Sequence, residues 1–197
     1  SLSAIGCAPL ELLVSRSVDG RCNDAVNAEV RRFNSALQVM IKDLQATYAD
    51  GHFTFLDSFN VVYDIIQNPK AHGNMTEHYT SPNYMNSMIS QLRYHQKFHM
   101  IPEKFLEIFV VTGFVYGSKA CCGAGPYRGI PCYRAISSVC SNASQYVFWD
   151  FAHPTQALND VLANEFWHGS SPAVSPFNLQ QLIACDTIKF FTTIFAF

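Results

Sequence analysis

Seven cysteines constrain this 197-residue chain more than any other feature. They stand at Cys7, Cys22, Cys121, Cys122, Cys132, Cys140 and Cys185. Structural zinc takes its close ligands as C-x2-4-C pairs, whereas here the nearest cysteines are adjacent or far apart. Disulfides account for the set better, and they imply an oxidising compartment. Two sequons, Asn74-Met75-Thr76 and Asn142-Ala143-Ser144, agree with a secretory route, although no signal peptide is visible. The first residue is Ser1, which places the expected start of translation upstream. Hydrophobic residues make up 49% and charged residues 14%, enough to bury a core and incompatible with wholesale disorder. With 13 basic and 15 acidic residues the net charge is -2, so there is no electrostatic footprint for nucleic acid. No apolar run reaches the ~18 residues of an integral membrane segment.

The opening SLSAIGCAPLELL reads as a buried strand end near Leu2 to Ile5, running into a loop at Gly6-Cys7-Ala8-Pro9. A turn at Gly20 to Asp24 starts a helix that Asn23 or Asp24 can cap. From there Val26, Val30, Phe33, Leu37, Met40, Ile41, Leu44 and Tyr48 recur at spacings of three and four. That predicts one apolar stripe facing a core, with Glu29, Arg31, Arg32, Lys42 and Asp43 on the opposite face. Asp50-Gly51 breaks the helix, and His52 to Asp57 reads as a strand. A second helix, Asn60 to Gln67, stops at Asn68-Pro69. Helix leading to short apolar strand is an α/β pattern.

Residues 74–110 differ in kind. They contain no Gly, Ala, Asp or Cys, yet hold four of the five Met and three of the seven His. Asn, Met, Ile, Tyr, Phe and Lys, all with A/T-rich codons, are frequent there. A helical lid is one reading, since Met88, Leu92, His95 and His99 fall at helical spacing. His95 and His99 have a metal-like i, i+4 spacing but lack the Glu of a zinc protease, so no metal site is read there. After Val110 come five glycines from Gly113 to Gly129 and four cysteines from Cys121 to Cys140, a loop-rich stretch. Tyr146 to Asp150 is an apolar run ending in an acid. The last helix is expected from about Pro154, with Leu158, Val161, Leu162, Phe166 and Trp167 on its apolar face. The tail from Ile183 is apolar without helical or strand period.

The sharpest chemical candidate is Asp150-Phe151-Ala152-His153-Pro154. An acid and a histidine three residues apart can set a carboxylate against an imidazole, as the acid and base of a nucleophilic triad. The bland alternative is a capping Asp beside a surface His. Trp149 and Trp167 read as core aromatics rather than walls of an acyl pocket. Asp57, at a strand end, reads as a structural or capping residue.

Longer strings sharpen this. Ala120-Cys121-Cys122-Gly123-Ala124-Gly125, Cys132, Cys140 and Tyr146 to Thr155 resemble the C-terminal blocks of the plant GDSL esterase/lipase family, part of the SGNH hydrolase superfamily. So do Ile5 to Pro9, Cys22, Asn27, Phe33-Asn34, Phe55-Leu56-Asp57, Ile65 to Pro69 and Gly113-Phe114. The resemblance covers residues 1–73 and 111–182. It implies an α/β fold with a flavodoxin-like α/β/α parallel sheet, of which this chain carries the C-terminal half. It also implies a secreted enzyme that cleaves carboxylic esters of lipids or similar substrates, with Asp150 and His153 as triad acid and base. No metal or organic cofactor and no specific protein partner is implied.

Three further parts of that machinery are expected upstream: the nucleophilic Ser of the GDS(L) block, an oxyanion-hole Gly and an oxyanion-hole Asn. No Gly-Asp-Ser occurs in the chain, and Ser170 and Ser171 only follow Gly169 in a loop. The chain by itself is therefore expected to be inactive. An inactive binding protein on the same scaffold, or a non-functional truncated product, are the alternatives. The organisation reads as a family-like segment (1–73), an atypical insert (74–110), a Cys-rich loop and D-x-x-H block with final helix (111–182), and an atypical tail (183–197). For the insert, translated noncoding sequence such as a retained intron fits the composition better than a lid. Cys7–Cys22 is expected as a local bridge, with Cys121, Cys122, Cys132 and Cys140 forming two more and Cys185 left over.

Overall fold

The computed structural model describes residues 1–48, 50–72 and 113–184. The insert, Asn74, His95, His99 and Cys185 lie outside the described residues, as does the tail beyond a helical stretch at 179–184. The first helix, α1 (Pro9–Val14), starts on a proline whose fixed φ suits a first helical turn. The long α2 (Asp24–Thr47) is capped by Asn23, whose side chain accepts the N–H groups of Ala25 and Val26.

The buried side of α2 is not the expected stripe. Asn27, Val30 and Asn34 face inward, while Phe33, Met40 and Tyr48 stay exposed. The two asparagines are buried because backbone there needs partners. Asn27 Oδ1 accepts the Gly6 N–H at 2.9 Å. Asn34 accepts the Leu2 N–H and donates to the Leu2 carbonyl, both at 2.8 Å. With both ladder groups of Leu2 engaged by one side-chain amide, the strand expected at Leu2 to Ile5 does not form, and Ile5–Cys7 is a 3₁₀ turn instead. Gly6 has no room for a side chain, since a Cβ there would meet the Asn23 carbonyl and Asn27 Oδ1.

The expected strand at His52 to Asp57 contracts to β1 (Phe55–Leu56). Asp57 then caps α3 (Ser58–Gln67), its Oδ1 accepting the Asn60 N–H at 3.1 Å. Next come β2 (Tyr116–Ala120), β3 (Cys122–Gly123), β4 (Ser138–Val139), β5 (Tyr146–Phe148), α4 (Gln156–His168) and β6 (Val174–Ser175). Among the described residues these strands form three two-stranded sheets rather than one parallel sheet. Only β2 and β5 run parallel, with Tyr116 opposite Tyr146 and Ala120 opposite Phe148. The other pairs, β1 with β6 and β3 with β4, are antiparallel.

The last helix begins two residues later than expected, because Thr155 rather than Pro154 opens it. The buried Thr155 hydroxyl donates to the Tyr146 carbonyl at 2.7 Å and accepts the Leu158 N–H at 3.3 Å. One side chain thus ties β5 to the start of α4. Pro154 faces Phe148 in an isolated bridge.

Val30, Phe59, Val62, Ile65, Phe114, Val147, Phe148 and Leu158 belong to one core cluster between the helices and the parallel pair. Trp149 and Trp167, expected in the core, are each 39% exposed. Phe59 is 2% exposed. Phe59→Ala should therefore cost about 3–5 kcal/mol, the range for emptying a buried aromatic site. Chemical denaturation should show this as a lower midpoint with little change in slope; an unchanged midpoint would count against the core as described.

Three disulfides close the loops: Cys7–Cys22, Cys121–Cys140 and Cys122–Cys132, with Cα separations of 4.3, 4.9 and 5.5 Å. The local bridge and the use of the other four cysteines in two more agree with the sequence reading.

Candidate active site

The loop 149–153 follows the buried strand β5 and is fastened on three sides. Cys121 donates its N–H to the Phe148 carbonyl at 2.9 Å, and Cys122 donates to the Trp149 carbonyl at 2.7 Å. Both cysteines are disulfide-bonded, so the strand that grips the loop is itself cross-linked. The Arg128 guanidinium donates to the carbonyls of Ala120 and Cys121. From the other side the Leu10 N–H, one of the donors left free at the start of α1, reaches the Phe151 carbonyl at 3.0 Å. Within the loop, the Trp149 N–H closes onto the His153 carbonyl at 2.8 Å.

This fastening brings Asp150 and His153 together. Asp150 Oδ1 lies 2.8 Å and Oδ2 3.0 Å from His153 Nδ1. The same Oδ1 accepts the backbone N–H groups of Ala152 at 3.0 Å and His153 at 2.8 Å. An ionised carboxylate can only accept, so the ring contact requires the proton on Nδ1. A neutral ring then carries its lone pair on Nε2, the nitrogen a base needs. The Asp150 side chain is 14% exposed and that of His153 is 69% exposed. The ring of Phe151 meets the imidazole edge-on, with centroids 6.0 Å apart and planes at 82°. The carboxylate is held in and the imidazole is held out.

Partial burial pushes the Asp150 carboxyl up. The N–H groups of Ala152 and His153, with the imidazole, outweigh that and hold it below the usual carboxylate range. A carboxyl lowered in the folded state stabilises the fold above its unfolded pKa of about 3.9. That stabilisation is lost as pH falls through the lower, folded value. Asp150→Ala should thus cost about 1–3 kcal/mol at neutral pH, as hydrogen bonds to a charged group are lost. The gap between wild type and variant should shrink below about pH 4. Urea titrations across that range check it, and a gap that widens in acid would contradict it.

Sequence reasoning singled out Asp150 and His153 but gave no role to Leu10, Arg128 or Thr155. Only Thr155 had a readable signal, as a capping residue type directly ahead of an apolar helix pattern. Among the described residues no hydroxyl is hydrogen-bonded to the His153 ring. Nor does any group of three His, Cys, Asp or Glu side chains stand ready to hold a metal there.

Fold and site together describe an α/β chain carrying a carboxylate-oriented, solvent-facing histidine. The chain belongs to the GDSL-like lipase/acylhydrolase family, whose model it matches over residues 1–166. Membership implies an α/β SGNH-hydrolase fold. Among curated proteins it is similar to the GDSL esterase/lipase LTL1 of Arabidopsis thaliana, 29% identical over 186 residues, covering 94% of this chain and 40% of that protein. It is also similar to GDSL esterase/lipase At1g71691 of the same plant, 28% identical over 185 residues, 94% of this chain and 37% of that protein. The chain spans about two-fifths of the length of these relatives. No solved structure matches it. No helix among the described residues is long and apolar enough to cross a membrane.

Proposed function

We propose that this chain carries the acid and base of a carboxylic ester hydrolase whose nucleophilic Ser lies outside its 197 residues. The observation that supports this best is the Asp150 carboxylate against His153 Nδ1, with the ring open to solvent. His153 Nε2 takes the proton of a Ser hydroxyl as the oxygen attacks the ester carbonyl. It then gives that proton to the departing alcohol. Water attacks the acyl-enzyme in a second round with the same base. Asp150 stays ionised throughout, fixing the ring tautomer and steadying the imidazolium. The chain alone is inactive in this reading, because its sequence has no Gly-Asp-Ser and the oxyanion-hole Gly and Asn that hold the tetrahedral charge in the family are expected upstream.

The esters of acyl lipids or similar compounds are the substrate class, and the secretory pathway is the route, in keeping with the three disulfides. The composition of residues 74–110 favours translated noncoding sequence over a lid. A transcript joining codon 73 to codon 111 would support that. The experiment for the activity compares this chain with the same chain joined to an upstream segment bearing the Ser and oxyanion residues, on short p-nitrophenyl esters. Turnover only in the joined form is the expected result. Saturable, His153-dependent turnover by the chain alone would overturn the missing-nucleophile reading.

A non-catalytic interaction role is the second reading, favoured by the exposed apolar side chains Phe33, Met40 and Tyr48 along α2. It predicts no turnover even after joining.

A further inference from the structure

One motif is used neither by the core nor by the Asp150–His153 pair: the sequon Asn142-Ala143-Ser144. It sits two residues after the bridged Cys140 and directly ahead of β5, and Asn142 is exposed. Its side chain opens the 3₁₀ turn Ala143–Gln145. Oδ1 accepts the Ser144 N–H at 3.1 Å and the Ser144 hydroxyl at 2.7 Å. Both structural bonds use the oxygen. The amide nitrogen Nδ2 makes no hydrogen bond among the described residues. A group attached to Nδ2 would leave Oδ1 an acceptor, so the cap and a modification are compatible on one side chain. Close by in the chain the apolar residues Tyr133, Ile136 and Val139 are each exposed.

We propose that Asn142 is an N-glycosylation site that takes its oligosaccharide from a lipid-linked pyrophosphate donor. The proposal rests on the secretory part of the reading above. A bond forms between Asn142 Nδ2 and the anomeric carbon of the donor's first sugar. The bond from that carbon to the pyrophosphate oxygen breaks, and the lipid pyrophosphate leaves with the electron pair. The amide nitrogen gives up one proton, and nothing is oxidised or reduced. Ser144 supplies the hydroxyl the sequon requires and holds the acceptor amide by its oxygen.

The test directs the full chain, with an added secretion signal, into the endoplasmic reticulum of a eukaryotic host. Mass spectrometry reads Asn142 and Asn74 in separate peptides, with and without a glycan-removing amidase that converts a glycosylated Asn to Asp. The same sample is mapped for the Cys121–Cys140 bridge, which reports entry into an oxidising compartment. Glycan on Asn142 is expected, retained in Ser144→Thr and lost in Ser144→Ala. Asn142→Asp keeps the capping oxygen and lacks Nδ2, so it should lose the glycan while still forming the bridge. Bridged chain with Asn142 unmodified, or modified at Asn74 alone, would overturn the proposal and leave the secretory reading intact. Unbridged, unglycosylated chain would overturn both.

Discussion

Joined to a Ser-bearing segment, the chain should lose roughly four to six orders of magnitude in kcat on p-nitrophenyl esters when His153 is changed to Ala. The size follows from the role proposed for His153: without Nε2 nothing would accept the nucleophile's proton, and nothing would return it to the leaving alcohol. Asp150→Asn should cost about 10⁴-fold. An amide at this position can donate to Nδ1, which favours the tautomer with the proton on Nε2, where it blocks base action. KM should move little in either variant, because neither residue is assigned to hold the acyl group. The Asp150 effect should also exceed its effect on stability, which the urea titrations report separately. A His153→Ala variant within tenfold of the parent enzyme would show that another group serves as base.

The second large effect is expected from the disulfides. Cys121 and Cys122 donate the backbone bonds that grip Phe148 and Trp149, so the bridges to Cys140 and Cys132 brace the loop carrying Asp150. Loops of about 15 residues contribute about 3 kcal/mol per bridge in the chain-entropy treatment. A domain holds only about 5–15 kcal/mol in total, so reducing all three should approach complete loss of structure. Replacing Cys122 and Cys132 together by Ala should lower Tm by roughly 6–12 °C, taking 2–4 °C per kcal/mol for a chain of this size. Thermal melts with and without reductant measure this. A reduced chain that melts within about 2 °C of the oxidised one would remove the bridges from the account.

Local chemistry was the part of this molecule most legible in the sequence. Asp150 and His153 are three residues apart, a separation that lets a carboxylate reach Nδ1 within one turn of chain, and the distant bonds from Cys121, Cys122 and Leu10 then hold that turn in place. Asn23 and Asp57 were readable as caps for the same reason. Features that depend on distant partners were not. The period from Val26 to Tyr48 says which face of α2 is apolar, not what covers it, and Phe33 and Met40 remain exposed. Apolar Leu2 to Ile5 looked like a strand, but a ladder needs a neighbour, and the Asn34 amide takes that place. In the opposite direction, Tyr116–Ala120 looked like loop because Gly117, Ser118 and Lys119 are poor strand formers. It forms the parallel partner of β5 all the same, since the wholly buried Tyr146–Phe148 requires hydrogen bonds on that side.

The most direct test of the central claim, that Asp150 holds His153 ready as a base, is the tautomer of His153. Nitrogen-15 NMR of the oxidised, ring-labelled chain at alkaline pH should show the proton on Nδ1 and a bare Nε2. Asp150→Asn should move the proton to Nε2 with the three disulfides intact. A parent chain that already carries its proton on Nε2, or one that Asp150→Asn leaves unchanged, would contradict the assignment.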